Sequence, residues 1–367
     1  MEADKPKIRA DLEIVPVQME GKRLFVIRDA LGLIKAPLGV SPEMLMLMSL
    51  LDGRRTRAEL AAELTRRQGG VVVPEAQLTG LLDQLDGAML LDGKGYRQAK
   101  KKLIDDYTEN PVRPCLLAGQ SYPEKREELE AYVDKLLTAG KGRPPAGSTR
   151  VRAIVVPHLD LRLAELAYSA AFQALHGQKP ERVMVLGTGH SMEKGLFCVT
   201  DKDFETPLGR IVTDKESVQR VREAGGKCLA PGDLPHWKEH SIEIQLIFLQ
   251  RLYGERLRIL PILCGSLAPH LSKHARLSEV PGVEPVLAVL RDLASGSGTL
   301  VVASVDLAHV GPKFGHSQPA AELAGNAKME DAALLKALCA GDTAAFWARL
   351  AGVKDVFNVC GASTLAC

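Results

Sequence analysis

Residues that commonly bind metal ions follow several apolar runs of this sequence, at the point where each run ends. His158 follows "VRAIVVP", His190 follows "RVMVLGTG", and Cys360 follows "DVFNV". Asp306 and His309 come after "TLVVASV". Neutral imidazoles and a thiolate suit iron, zinc or copper, whereas magnesium and calcium would require more carboxylates. Two histidines and one cysteine leave coordination positions open, which a reactive metal site needs.

Each of these residues also has a structural explanation when it is taken alone. A single histidine is more often a satisfied polar residue than a ligand, Cys360 could be a small core residue, and Asp306 could cap a turn. Open α/β sheets, however, bind ligands at the carboxyl ends of their strands. The shared position of these residues therefore favours a site, in which His309 is a second-sphere acid or base and Asp306 orients its ring.

The segment "PHWKEHSIEIQLIFLQ" adds two further candidates for the same pocket. His240 and Glu243 are three residues apart, so they lie on one face of the predicted helix. Ser241 is a candidate cap for that helix. The structural alternative is that Glu239 and Glu243 only interact favourably with the helix N-terminus.

The elements that must position these residues have an α/β pattern. The β-branched runs "VRAIVVP", "RVMVLG", "LRIL" and "TLVVASV" alternate with helical segments such as "RLAELAYSAAFQAL" and "HSIEIQLIFLQRLYG". Apolar strands that alternate with helices predict a mainly parallel sheet with helices on both faces.

The first hundred residues have a different pattern. Two short strands within residues 12–36, three helices and a strand pair near Leu90 and Tyr96 predict a winged-helix-like α+β domain. DNA binding is disfavoured because the third helix, "PEAQLTGLLDQLDG", is acidic, and a docking or dimerisation module is the preferred interpretation. The predicted division is a binding domain over 1–98, a linker helix over 99–111 and the α/β domain over 112–367.

Composition excludes several other classes. The 367 residues include 47 basic and 45 acidic ones, for a net charge of +2, and 4% aromatic residues, so nucleic acid is disfavoured as a partner. No run approaches the ~18 apolar residues of a membrane span, and the N-terminus is not a signal peptide. The seven cysteines lack paired spacing, which predicts reduced thiols and a cytoplasmic location.

Two parts of the chain resemble known families. The stretch "RDALGLIKAPLGVSPEMLMLMSLLDGRRTRAELAAEL" resembles the PqqD-like peptide-chaperone modules, which implies binding of a peptide or partner enzyme. From about residue 112 onward the sequence looks like the Memo family, the B component of the bacterial AmmeMemoRadiSam system. The matching segments, in family order, are "AGQSYP", "VPH", "LGTGH", "TPLG", "EHSIEIQLIFL", "LPILCG", "SVDLAHVGPKFG" and "VCGAS".

The Memo resemblance implies a fold similar to the class III extradiol dioxygenases, which use non-haem iron. It makes His158, His190 and Cys360 the metal ligands. It also places Asp306 and His309 in the same pocket, with His309 at the position of the dioxygenases' acid/base histidine.

The sequence departs from the family after its first histidine. Where the family has Ala-Gly and aromatic residues, this chain has "HLDLRLAELAYS", so Asp160 and Arg162 are expected near the metal. The chain also ends seven residues after Cys360, where the family continues, so either truncation or an unusual C-terminus is expected.

These observations favour a metal-dependent redox enzyme that acts with radical-SAM system proteins. Fe(II) is the favoured metal, copper ranks second and zinc third. A peptide or protein would be the substrate, recruited by the N-terminal module, and His309 would move protons. The alternative is a non-catalytic peptide- or protein-binding module on the same fold, and a transcriptional role through the winged helix ranks last.

Overall fold

The computed structural model describes residues 5–19, 22–29, 31–34, 38–67, 69–140 and 150–367. The chain divides into two compact units, Met1–Glu109 and Asn110–Cys367. The division falls inside the segment that the sequence predicts as a linker, 99–111.

The first unit combines an antiparallel sheet with helices. Strands β1 and β2 pair along their whole length, in agreement with the two strands predicted within residues 12–36. In sheet order the strands are β1 (Leu12–Met19), β2 (Lys22–Asp29) and β3 (Leu38–Val40). The helices are α1 (Pro42–Leu50), α2 (Arg57–Arg67), α3 (Glu75–Gly87) and α4 (Lys94–Glu109).

Local signals explain where these helices begin. The Ser41 hydroxyl accepts the amide of Met44 at 3.3 Å, and Thr56 and Glu59 form a reciprocal capping box before α2. The predicted strand pair near Leu90 and Tyr96 is wrong, because Tyr96 lies in α4. Tyr96 and Tyr107 are the buried residues of that helix, and their burial along one long amphipathic segment favours helix over strand.

The second unit contains the mainly parallel sheet that the sequence predicts. Its order is β4-β8-β9-β10-β6-β11-β5, with β7 paired to β10. Antiparallel pairs join β8 to β9 and β7 to β10, and the other neighbours are parallel. The strands are β4 (Val112–Arg113), β5 (Ala153–Val156), β6 (Arg182–Thr188), β7 (Phe197–Val199), β8 (Asp203–Thr206), β9 (Gly209–Thr213), β10 (Arg258–Cys264) and β11 (Thr299–Ser304).

Helices cover both faces of this sheet, and the central strand β6 shows why. Val183 and Val185 belong to one hydrophobic cluster, whereas Met184 and Leu186 belong to another. Alternate residues of a strand face opposite sides, so a strand buried on both sides needs an uninterrupted apolar run. The helices are α5 (Arg126–Ala139), α6 (Glu165–Gln173), α7 (Lys215–Gly225), α8 (His240–Tyr253), α9 (Ala268–Leu271), α10 (Val283–Ser295), α11 (Ala320–Cys339), α12 (Thr343–Gly352) and α13 (Ala362–Ala366).

Helix α8 is the most deeply buried of these positioning elements. Every residue from Ser241 to Gln250 is buried, which requires a helix that is apolar on nearly all sides. The sequence "SIEIQLIFLQ" meets that requirement except at its few polar residues, and these have hydrogen-bond partners. A helix held this firmly fixes the direction of the side chains at its N-terminus.

Candidate metal centre

A cavity of about 870 Å³ opens at the carboxyl ends of the central parallel strands. His158 comes two residues after β5, His190 two residues after β6, and Asp306 two residues after β11, and all three line the cavity. Cys360 lines it from the turn before α13, and His240 from the first position of α8. The parallel sheet therefore brings residues far apart in sequence to one edge.

Three histidines form the closest group of potential metal ligands. The ligand nitrogens of His158, His190 and His240 all lie within 4.8 Å of one another. Their ring centroids are 4.8 to 5.2 Å apart. His240, which the sequence placed only in the pocket wall, thus stands beside the two predicted ligands.

Cys360 completes the cluster. Its Sγ lies 3.3 Å from His158 Nε2 and 3.2 Å from His190 Nε2. The following amide, that of Gly361, donates to the carbonyl of Asp306 at 2.8 Å. A Cβ at Gly361 would lie 2.2 Å from Cβ of Val305, so only glycine permits this approach. The close packing fixes Cys360 against the exit of β11.

Glu239 orients two of the three histidines. Its carboxylate accepts the backbone amide of His190 at 3.0 Å and lies 3.0 Å from Nδ1 of that ring. Nδ1 of His240 is 3.2 Å from the same carboxylate. Because the Glu239 carboxylate occupies the Nδ1 atom of each ring, the Nε2 atoms remain available to bind a metal, an arrangement typical of metal-binding histidines.

Glu239 also caps α8, a role that the sequence assigned to Ser241. The carboxylate accepts the amide of Ser241 at 2.9 Å, which is the interaction expected of an acidic residue at a helix N-terminus.

The contacts of Glu239 shift the pKa values of the groups that they join. Burial alone would raise the pKa of Glu239, but the hydrogen bonds from His190 and His240 outweigh burial and lower it. Burial has the opposite effect on a histidine and alone would lower the pKa of His190. The hydrogen bonds with Cys360 and Glu239 outweigh burial here too and raise that pKa to about 10.

His158 has a different environment. Burial lowers its pKa to about 4, although the charge of Asp306 opposes this shift. Asp306 accepts the backbone amide of His158 at 3.0 Å, and its other oxygen lies 3.6 Å from His158 Nε2. The expectation that Asp306 orients His309 is therefore wrong, because the carboxylate of Asp306 contacts His158. Nδ1 of His309 instead lies 2.9 Å from the carbonyl of Leu307, which leaves Nε2 of His309 for the cavity.

Two residues expected at the pocket lie elsewhere. Glu243 is fully buried and binds Arg113, the amides of Leu116 and Leu117, and the hydroxyl of Tyr122. Among the described residues it does not line the cavity, because α8 turns it toward residues 113–122.

Arg162 was expected near the metal and instead lies at the surface. Its side chain is 73% exposed and pairs with Asp160 at 2.5 Å. Asp160 does line the cavity. Because the two residues are only two positions apart in sequence, the Arg162 guanidinium can pair with the negative charge of Asp160 from the solvent side.

Sequence reasoning missed one functional residue, Glu239 as the residue that orients His190 and His240. The available signal was the pair Glu239–His240 at a predicted helix start, where a carboxylate can accept both an amide and an imidazole proton.

The donor set fits a transition metal. Three imidazoles and a thiol converge, a carboxylate orients two of the rings, and the cavity gives access from one side. The molecule is thus an α/β protein with a histidine- and cysteine-lined candidate metal centre at the carboxyl edge of its sheet. In the described part of the chain, no helix is both long enough and apolar enough to cross a membrane.

Comparison with known proteins identifies the family. Residues 113–367 match the protein family described as "Memo-like protein". A MEMO1 family protein of Aquifex aeolicus is 30% identical over 311 residues, covering 85% of this chain and 77% of the relative. A second, from Thermus thermophilus, is 32% identical over 290 residues, covering 78% of this chain and 82% of the relative. The chain belongs to the Memo family, whose fold is dioxygenase-like. Both matches are longer than the second unit alone, so they extend into the first.

Proposed function

We propose that the second unit binds a redox-active metal ion through His158, His190, His240 and Cys360 and acts as a metal-dependent oxidoreductase. The observation that carries the proposal is the convergence of three imidazoles within 4.8 Å, with a thiol beside two of them. Cysteine is also found in protein cores as a small apolar residue, but a core role does not explain two imidazole nitrogens directed at its sulfur.

The types of ligand atom in the cluster indicate which metals it can bind. Nitrogen and sulfur donors suit iron, copper and zinc, and the cluster has too few carboxylates for magnesium or calcium. We favour Fe(II), with copper second and zinc third, because the Memo fold resembles that of the iron-dependent extradiol dioxygenases. When bound, iron or copper would supply oxygen or one-electron chemistry, whereas zinc, which is not redox-active, would not support an oxidoreductase.

The protein's own residues would prepare the reaction. Glu239 holds His190 and His240 in the orientation that presents Nε2. His309 lines the same cavity with its Nδ1 engaged by a carbonyl, so its Nε2 is the group that would take or give a proton. Apolar residues of the wall, such as Leu267 and Leu271, reduce water around the reacting groups.

We further propose that the first unit binds a peptide or a partner protein and that the protein works with a radical-SAM enzyme. The resemblance to PqqD-like modules supports peptide binding. The relatives from Aquifex aeolicus and Thermus thermophilus share part of the first unit, which supports a role connected with the Memo domain. We place the protein in the cytoplasm, since all seven cysteines are free.

Metal content tests the proposal. Wild-type protein, purified anaerobically without a tag, should retain close to one iron or copper per chain by mass spectrometry. A variant with His158, His190, His240 and Cys360 all replaced by alanine should retain almost none. His176→Ala, which removes an exposed histidine, is the matched control and should behave as wild type. Equal metal content in wild type and the fourfold variant would reject the proposal.

A further inference from the structure

Glu239 orients two of the three clustered histidines, whereas the third, His158, faces a hydroxyl group. Nδ1 of His158 lies 3.5 Å from Oγ of Ser304, the last residue of β11. Its Nε2 lies 3.3 Å from Sγ of Cys360 and 3.6 Å from a carboxylate oxygen of Asp306. A neutral imidazole carries its one proton on either nitrogen, and only the other nitrogen can bind a metal. The position of this proton therefore decides whether Nε2 of His158 can be a ligand.

The carboxylate of Asp306 favours the position that blocks metal binding. A negative charge 3.6 Å from Nε2 attracts the proton to that nitrogen. A proton on Nε2 would occupy the lone pair on the side of Cys360. If His158 is to bind a metal, the groups around its Nδ1 must outweigh the attraction of Asp306.

The hydroxyl of Ser304 has the hydrogen-bond partners that this requires. It donates its one proton to the carbonyl of Ser241 at 2.5 Å, and its oxygen accepts from Nε2 of Gln245 at 2.8 Å. A serine hydroxyl has one proton and two lone pairs, so toward His158 it can only accept. The hydrogen bond to Nδ1 is long, but two lone pairs at that position would repel each other. The contact therefore favours a proton on Nδ1.

Gln245 holds Ser304 in the accepting role. Its Nε2 also donates to the carbonyl of Pro157 at 2.8 Å, and because a carbonyl can only accept, this contact fixes the direction of the amide. Within the described structure, the buried Oε1 of Gln245 has no hydrogen-bond partner, which is unfavourable. Flipping the amide would direct Oε1 at the carbonyl of Pro157. The observed orientation thus uses both N–H groups beside His158 and leaves the oxygen unpaired.

The alternative is that Ser304 and Gln245 only join α8 to the sheet, since both side chains are fully buried. A second pair in the same helix shows such a structural contact. Thr206 of β8 and Gln250 of α8 are also buried, and the threonine hydroxyl donates to Oε1 of the glutamine. Neither is among the described residues that line the cavity. The pair formed by Ser304 and Gln245 differs because it ends at Nδ1 of His158.

We propose that Ser304 and Gln245 are positioning residues that keep the proton of His158 on Nδ1 and thereby present its Nε2 to the metal. The inference rests on the proposed function for the identity of the ligand set, but the proton position is a property of the metal-free protein. The cluster then has two kinds of histidine. A shared carboxylate orients His190 and His240, and a neutral hydroxyl orients His158.

Nitrogen NMR of metal-free, full-length protein labelled with ¹⁵N in its histidines tests the proton position. Correlations between the carbon-bound ring protons and the ring nitrogens distinguish the two neutral forms of each imidazole. The variant His158→Gln identifies the signals of His158 by their loss. At neutral pH, wild-type His158 should carry its proton on Nδ1. Any other protonation state of this ring in the wild type would overturn the inference.

Variants separate the positioning role from a structural one. Ser304→Ala removes the acceptor at Nδ1, so His158 should shift toward the form protonated on Nε2. The affinity for iron(II), measured by competition with a chelator, should fall by about tenfold. Gln245→Met leaves the hydroxyl in place but removes the group that directs it, and should cause smaller changes of the same kind. Thr206→Val is the matched control and should change neither readout.

The outcomes for folded variants decide between the two roles. An unchanged proton position in Ser304→Ala and Gln245→Met would overturn the inference, as would equal losses of iron affinity in Ser304→Ala and Thr206→Val. If Ser304→Ala does not fold, the wild-type spectrum and Gln245→Met still decide.

Metal analysis of the same samples distinguishes this inference from the proposed function. Wild-type protein with the proton of His158 on Nδ1 but with no affinity for iron, copper or zinc would reject the metal centre and support the role of Ser304 and Gln245 in placing the proton. Wild-type protein that binds metal but carries the proton on Nε2 in its metal-free form would support the metal centre and overturn that role.

Discussion

Glu239 and Glu243 lie one helical turn apart around the start of α8, and both are almost fully buried. Glu239 receives its hydrogen bonds from the ring of His190, the ring of His240 and two backbone amides. Glu243 receives its own from a guanidinium, two backbone amides and a tyrosine hydroxyl. Burial and residue type are the same in the two regions, so the partners distinguish the carboxylate that orients ligands from the one that holds the fold together.

The Glu243 region is a structural anchor for the cavity wall. Arg113 and Glu243 are both fully buried, and the carboxylate also fixes Leu116 and Leu117. Burial, together with the charge of Glu243, raises the pKa of Tyr122, which therefore stays protonated and donates. Leu117 lines the cavity, so the anchor acts on the site only through the position of this loop.

The largest expected effect is on stability, at the anchor. Glu243→Gln leaves Arg113 as a buried charge without its counter-ion, and loss of one partner of such a pair costs about 3–5 kcal/mol. Urea unfolding of the second unit should show this loss. The double variant Arg113→Met/Glu243→Leu removes both charges but leaves the amides of Leu116 and Leu117 and the Tyr122 hydroxyl without their acceptor, so it should recover only part of the loss. A loss below about 1 kcal/mol in Glu243→Gln would contradict the anchor role.

A smaller effect concerns pH and His236, whose carbonyl accepts from Arg113 at 3.1 Å. Burial lowers the pKa of His236 to about 4, and within the described structure its Nδ1 has no hydrogen-bond partner. The unfolded chain binds a proton near the ordinary pKa of about 6.5, before the folded protein does. Stability is therefore complete above about pH 6.5 and falls as the pH is lowered toward 4, by up to roughly 3 kcal/mol.

The control for this pH effect is His236→Gln, which retains a donor for the carbonyl of Cys198 and does not titrate. Its free energy of unfolding should change less than that of the wild type between pH 6.5 and 4.5. Parallel pH profiles for the two proteins would show that His236 does not contribute.

The next effect is on metal affinity, at Glu239. Glu239→Gln should weaken metal binding by about 10- to 100-fold, the usual result of removing a residue that orients histidine ligands. Competition with a chelator of known affinity measures the change. Glu243→Gln, assayed where it is fully folded, should change metal affinity by less than about threefold. Equal losses in the two variants would remove the distinction between the two carboxylates.

The smallest effect is expected at Arg162. Its pair with Asp160 is exposed to solvent and therefore contributes little to stability. Arg162→Ala should therefore leave both the unfolding midpoint and the metal affinity nearly unchanged in the same assays. A tenfold loss of metal affinity would place Arg162 in the site after all.

The sequence predicted the sheet well because the signal was local and continuous. The apolar runs at 153–156, 182–188 and 299–304 are parallel strands, of which the last two are largely buried and the first lies at the edge of the sheet with alternate residues exposed. Their exits bring His158, His190 and Asp306 to one cavity. The rule that ligands gather at strand ends was sufficient for these three residues.

Other features depend on contacts that no local pattern contains. His240 joins the ligand group from a helix N-terminus, to which the rule about strand ends does not apply. The direction of Glu243 depends on Arg113, which is 130 residues away in sequence. Asp306 contacts His158 rather than His309 because the parallel pairing of β5 and β11 places their exits side by side.

X-ray absorption at the edge of the bound metal, on anaerobically purified protein, tests the central claim most directly. The predicted spectrum has imidazole nitrogen scatterers and one sulfur at about 2.3 Å, if the bond resembles zinc–thiolate. The sulfur signal should vanish in Cys360→Ala, and His240→Ala should lose one nitrogen scatterer. A spectrum with only oxygen scatterers, unchanged in both variants, would contradict a metal centre built from these residues.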